Sequence, residues 1–241
     1  MRADLLDAQA AVDWAVAQLP ELQERIIRWR QNRPYTVLID IETEPGQKLY
    51  RLADIKPIDP IISAEAGAII HSVRSSLDVL ACTLAARNGH PDSRSTYFPI
   101  WKTKADFDDP GSRVLEKIKR LGDVERGIIK GLKPYPGGNN LLCTFHEMDL
   151  TRKHRRLLGL AMHPRGVFLQ GITNQTVTLR EWNGADEKSV ILSTPASTPD
   201  GQITANFQVA LREAGVGGDN DCTHTIREFA IAATNIIKRF G

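Results

Sequence analysis

The chain has 241 residues, 41% hydrophobic and 25% charged, with a formal net charge of +2. That is enough apolar material for a substantial core, which excludes intrinsic disorder for the chain as a whole. The near-balanced charge gives no ground for nucleic-acid binding by net charge alone, and three widely spaced cysteines (Cys82, Cys143 and Cys222) exclude a CxxC knuckle and a disulfide framework.

Residues 3–31 are predicted as a helix, since Leu5, Val12, Ala15, Val16, Leu19, Leu22, Ile26 and Trp29 recur at helical spacing. Pro20 is expected to kink it or to start a second segment. A hairpin over 36–54 follows: Val37, Ile39 and Ile41 alternate with polar positions, and Pro45-Gly46 makes the turn. A long helix over 61–88 stops at Asn88-Gly89. Phe98-Pro99-Ile100-Trp101 anchors an irregular link, and short helices are expected near 112–121 and 124–131. A further helix is predicted over 140–162, ended by His163-Pro164. The period then switches to two, with strands near 167–172, 175–182, 188–194 and 202–212, forming a meander over 167–212. A last helix spans about 222–240. The order predicts a single α+β domain over 1–241, with an antiparallel sheet against a helical layer.

Asp4 and Asp7 stand where an export signal needs apolar residues, and the apolar runs fall short of the roughly 20 residues that span a bilayer. With reduced thiols, the expectation is a cytoplasmic protein without a membrane partner. A strand edge in the second half is where a homo-oligomer would form.

The 61–88 helix carries few charges before Arg87: Glu65, Arg74 and Asp78. At about 100° per residue, His71, Arg74, Ser75 and Asp78 share one face, extended by Ala64, Gly67, Ala68, Cys82 and Ala85. Small residues let another helix come close, and a charge among them needs a partner. On the 140–162 helix, His146, Asp149 and Lys153 form a second stripe framed by Leu142, Leu157 and Leu160. The two stripes are expected to meet, with Arg74 against Asp149 and Asp78 against Lys153 or His146. Two readings stand at this point. Arg74–Asp78 and Asp149–Lys153 are i,i+4 pairs that stabilise their own helices, within a network that locks helix register, or the histidines make the junction a proton-transfer centre.

A resemblance follows from these residues. Ile70-His71-Ser72-Val73-Arg74-Ser75-Ser76-Leu77-Asp78-Val79-Leu80-Ala81 resembles a segment of a widespread group of uncharacterised bacterial proteins, where it reads roughly H-N-L-R-S-A-L-D-H-L-A. The likeness continues at Phe98-Pro99-Ile100, at Leu132-Lys133-Pro134-Tyr135 and in an H-x-x-D-x-x-x-K-H-R segment from His146, covering about residues 30–160. Ser72 stands where Asn is usual and Val79 where His is usual. The resemblance implies a bacterial or phage-related origin and no particular reaction. A looser likeness is to HEPN domains, helical domains that often act as metal-independent ribonucleases through an Arg followed by a His; Arg156 and His163 match that spacing.

A metal site is not expected, because Arg74 and Lys153 would sit beside the ion, and no cofactor loop is present. Anion recognition fits better. Arg152-Lys153-His154-Arg155-Arg156 point all round a helix, so part of the run faces a ligand. Lys117, Lys119, Arg120, Arg126, Lys130 and Lys133 would widen a basic patch, and Trp101 and Tyr135 would stack on a base. The expected function is a ribonuclease-like hydrolase or other phosphate-handling protein. Its catalytic set would be His71, Arg74, Asp78, His146, Asp149 and Lys153, with Arg152, His154, Arg155 and Arg156 binding RNA or another phosphate-bearing ligand. The alternative is a non-catalytic binding or regulatory module in which the same residues are a buried lock.

Overall fold

A computed structural model describes residues 2–42, 46–91, 94–170, 178–179, 190–199, 202–212 and 220–241. Its elements are α1 (Leu6–Gln31), β1 (Thr36–Glu42), β2 (Gln47–Ala53), α2 (Pro60–Arg87), α3 (Lys104–Asp108), α4 (Asp123–Gly131), α5 (Asn140–His154), β3 (Leu160–Gln170), β4 (Thr178–Leu179), β5 (Val190–Pro195), β6 (Gln202–Leu211) and α6 (Cys222–Lys238). Two 3-10 turns, Ala3–Leu5 and Arg113–Ile118, complete the order. The fold is α+β. The chain divides into two compact units: Met1–Gln23, Pro60–Gly159 and Leu211–Gly241 form the first, and Glu24–Asp59 with Leu160–Ala210 the second.

The first unit is helical and is built around α2. Proline at its first position costs no hydrogen bond, because that N–H lacks an intrahelical acceptor anyway. Its end is a Schellman motif. Gly89 takes φ +82, its N–H reaches the Ala86 carbonyl, and the His90 N–H reaches the Ala85 carbonyl. Ile62, Ile70, Val73, Leu77, Leu80 and Leu84 are fully buried, and α5 and α6 both pack on this helix. Phe145 of α5 stacks on Phe229 of α6 with ring centroids 5.0 Å apart, a contact worth about 1 kcal/mol beyond its buried area. Arg87 ties both ends of the chain to α2 through Asp4 and the Phe240 carbonyl.

An 18-residue stretch of α2 has mean hydropathy 1.2, long and apolar enough by composition to cross a bilayer, although 56% of it is buried inside the protein. Helix α1 is simpler than predicted. It runs unbroken through Pro20, which is solvent-exposed, so the proline starts no second segment.

The larger correction concerns α5. It ends at His154, and residues 160–162, predicted as its last turn, already belong to β3. Leu157 and Leu160 are therefore not on the helical stripe, and Leu157 is exposed. The apolar run Leu157 to Met162 matches a helical period over too few residues to distinguish helix from strand. Pairing of β3 with β6 decides it.

In the second unit, β1, β2, β5 and β4 form a four-stranded sheet in that order, antiparallel at each junction, and β3 and β6 form a two-stranded one. Tyr50, Leu52, Met162, Ile191, Leu192 and Phe207 make its core, and Trp29 in the last turn of α1 packs on it. The Arg30 Nη1 donates to the Phe207 carbonyl at 2.7 Å. Ile39 and Ile41 of the edge strand β1 are exposed rather than facing a core. The strand expected at 175–182 falls within the described residues only at Thr178–Leu179.

Candidate functional site

The polar stripes of α2 and α5 meet, with the i,i+4 pairs Arg74–Asp78 and Asp149–Lys153 formed in place of the cross-helix pairs Arg74–Asp149 and Asp78–Lys153. Arg74 bonds Asp78 on its own helix, and Asp149 bonds His71 across the junction. Why they lie there is local. Asn139 caps α5, its side chain accepting from the Leu142 N–H at 3.1 Å. That start sets the phase that turns His146, Asp149 and Lys153 toward α2. On α2, a Cβ built on Gly67 would lie 3.1 Å from the Cγ and Cδ of Arg152. The missing side chain at Gly67 is what lets the Arg152 stem cross α2, one turn before His71.

One half of the site is buried and closed. Arg74 is 4% exposed. Its Nη1 donates to Asp78 Oδ1 at 2.7 Å, its Nη2 to the Phe98 carbonyl at 3.1 Å, and its Nε to His146 Nδ1 at 3.1 Å. Asp78 Oδ1 also accepts the Phe98 N–H at 2.9 Å. Arg74 thus ties α2 to α5 and to the link at Phe98. Since His146 Nδ1 accepts, the neutral ring carries its proton on Nε2. Burial, then the positive charges of Arg74 and Lys117, push the His146 pKa down to about 4, against the pull of Asp149. At neutral pH this ring is a hydrogen-bond donor and not an acid.

The other half is partly open. Asp149 is buried, yet its Oδ1 lies 2.8 Å from His71 Nδ1 and its Oδ2 2.6 Å from Lys153 Nζ. The side chains of His71 and Lys153 are 37% and 33% exposed. A carboxylate on Nδ1 holds that nitrogen as the donor, so Nε2 of His71 is left as the basic lone pair. Ser75 is not coupled to this dyad as a nucleophile, because its hydroxyl donates to the His71 carbonyl at 2.5 Å.

Sequence reasoning placed Lys117 in an outer patch, yet it lies close enough to Arg74 and His146 for their charges to act on one another. It sits in the 3-10 turn Arg113–Ile118, which Ser112 caps by accepting the Val114 N–H. The Tyr97 N–H donates to the Lys117 carbonyl, which holds this turn beside the Phe98 link. Burial and the Arg74 charge hold its ammonium below the ordinary lysine range, with Asp78 opposing. No spacing signal could have found it, since it is one of several cations in the stretch 113–133.

The remaining candidates separate. His154, Arg155 and Arg156 are exposed at or beyond the end of α5. Arg156 follows α5, and His163 lies in β3. The stacking role expected of Trp101 and Tyr135 is corrected: both are buried, packed on either side of Phe107 with centroids 5.1 and 4.7 Å away. The outer basic patch is diluted by local pairs, Lys119 with Glu116 and Arg126 with Asp123. The thiols are held protonated. Burial raises the pKa of Cys82 and Cys222, and takes Cys143 up to about 11. Among the described residues, no group of three or more His, Cys, Asp or Glu side chains is arranged to hold a metal ion.

No protein-family model, no curated protein and no solved structure matches the chain. The functional argument therefore rests on the site's own geometry.

Proposed function

We propose that the α2–α5 junction is a proton-transfer centre acting on phosphate esters. More particularly, we read it as a metal-independent, ribonuclease-like centre that works on single-stranded RNA. The observation that carries this is the His71–Asp149 dyad. A buried carboxylate fixes Nδ1 of a histidine whose ring remains exposed, the arrangement that makes a general base. Lys153, on the other carboxylate oxygen, supplies a fixed positive charge where a metal would otherwise be needed.

In this reading His71 Nε2 takes the proton of a ribose 2′-hydroxyl. The 2′-oxygen attacks the adjacent phosphorus, and the bond to the 5′-oxygen breaks. That oxygen leaves with a proton from water, giving a 2′,3′-cyclic phosphate and a 5′-hydroxyl. Lys153 stabilises the charge on the phosphoryl oxygens, with Arg152 on the neighbouring phosphate, and His146 offers its Nε2–H as a neutral donor. Arg74 and Asp78 position α2 against α5 and do not touch the substrate. A cytoplasmic location belongs to the same proposal, supported by three free thiols.

The test is cleavage of a short single-stranded RNA in the presence of a chelator, beside the matching DNA. Wild type is expected to cut RNA only, and His71→Asn to lose cutting while staying folded. RNA left intact, or cut equally by His71→Asn, rejects the reading. One observation favours a second reading, a non-catalytic module in which the whole junction is a lock: each guanidinium nitrogen of Arg74 already has an acceptor. Under that reading His71→Asn lowers stability and changes nothing else.

A further inference from the structure

The side chains of two cations at this junction, Lys117 and Arg152, make no hydrogen bond or ion pair among the described residues. Each is only partly exposed, whereas the neighbouring cations are engaged: Arg74 with Asp78, and Lys153 with Asp149. Counting Arg74, Lys117, Arg152 and Lys153 against Asp78 and Asp149, the junction carries positive charge in excess. Partly desolvated charge of one sign is unfavourable unless an anion meets it.

The placement of the two says more. The stem of Arg152 crosses α2 at Gly67. Lys117 lies beside the Phe98 link, its carbonyl accepting the Tyr97 N–H at 3.3 Å, and Phe98 bonds Arg74 and Asp78 of α2. At about 1.5 Å per residue, those levels of α2 are roughly 10 Å or more apart. His71 lies between them in the sequence of α2. That span is wider than a single phosphate group. It suits consecutive phosphates of one strand, with the linkage in the middle beside the His71 base.

We infer that Lys117 and Arg152 are two phosphate-binding positions of a track that leads a single strand of nucleic acid along α2 past His71. The inference rests on the reading of the junction as a phosphodiester centre, and its test uses binding without cleavage. The probe is a single-stranded deoxyoligonucleotide, which lacks the attacking 2′-hydroxyl. Its affinity is measured across a salt series for wild type, Lys117→Met, Arg152→Met and the exposed control Lys238→Met.

For single strands the logarithm of affinity falls with that of salt by about 0.7 per phosphate neutralised. Each of the two variants is expected to lower that slope by about 0.7 and the affinity at least tenfold at low salt, and Lys238→Met to leave both unchanged. Because Lys117→Met also removes a partly buried, unpaired cation, its melting temperature is expected at or above wild type, which separates lost binding from lost folding. Lys117→Gln gives a second variant with the same expectation.

Slopes unchanged by either substitution overturn the inference even if RNA is cleaved. So does a mononucleotide binding as tightly as the oligonucleotide, since one phosphate cannot meet both cations. Lowered slopes without RNA cleavage uphold the track and reject the catalytic reading.

Discussion

Acid is expected to destabilise this protein through His146 in particular. In the folded chain the ring sits between Arg74 and Lys117 and titrates at about 4 rather than at the ordinary 6.5. The unfolded chain takes up a proton as pH falls below 6.5, and the folded chain does not until about 4. A depressed value of this kind leaves stability intact above 6.5 and removes it as pH falls through the window down to 4. At about 1.4 kcal/mol per pH unit of displacement, the loss is about 2 kcal/mol by pH 5 and about 3 kcal/mol at pH 4. For a chain of this size 2 kcal/mol corresponds to roughly 5 °C in Tm. The assay is thermal or urea unfolding between pH 7.5 and 4.5, comparing wild type with His146→Asn. Asparagine keeps an acceptor for Arg74 Nε and does not titrate, so subtracting the two curves removes the carboxylates common to both. The variant should be flatter by about 2 kcal/mol at pH 5. Parallel curves, or a ring resonance of His146 titrating near 6.5, would refute the placement of this histidine between two cations.

Arg74→Met removes the donor to the Phe98 carbonyl and to His146 Nδ1 and leaves Asp78 only the Phe98 N–H, and should cost about 3–5 kcal/mol in urea unfolding. Double-mutant cycles should give a coupling of 1 kcal/mol or more, roughly, for Arg74 with Asp78 and a smaller one for Arg74 with Asp149, which share no hydrogen bond. Gly138→Ala places a Cβ 2.5 Å from the Lys133 carbonyl and 2.8 Å from the Tyr135 ring, and should cost about 2 kcal/mol or more because backbone must move. Gly67→Ala meets only the flexible Arg152 stem. Its helix-propensity gain of about 1 kcal/mol should roughly offset that contact, leaving Tm close to wild type.

The stripes on α2 and α5 were legible because both helices are periodic and α2 carries so few charges that the few it has must find partners. The pattern offered both the local i,i+4 pairs and the cross-helix pairs, and could not choose between them. Arg74 and Asp78 are one helical turn apart, so a local pair competes with the cross-helix pair at little entropic cost. Asp149 is thereby released to His71 and Lys153. The end of α5 was misjudged for a different reason. Leu157, Leu160 and Met162 fit a helical period, and only non-local pairing of β3 with β6 turns that stretch into a strand. Trp101 and Tyr135 carry no mark in sequence separating a stacking platform from a core aromatic; Phe107, in the short helix α3 that periodicity did not predict, occupies both rings. Lys117 was hidden among the other cations of its stretch.

The structure divides a stripe of six polar residues into a closed half around Arg74 and an open half around His71. The most direct test of that division is the rate of single-stranded RNA cleavage by His71→Asn, relative to wild type, at a temperature where both are folded. The account predicts a loss of at least a hundredfold, in the range expected for removing a general base, with Tm changed by only a few degrees. Cleavage at the wild-type rate by the folded variant would contradict it.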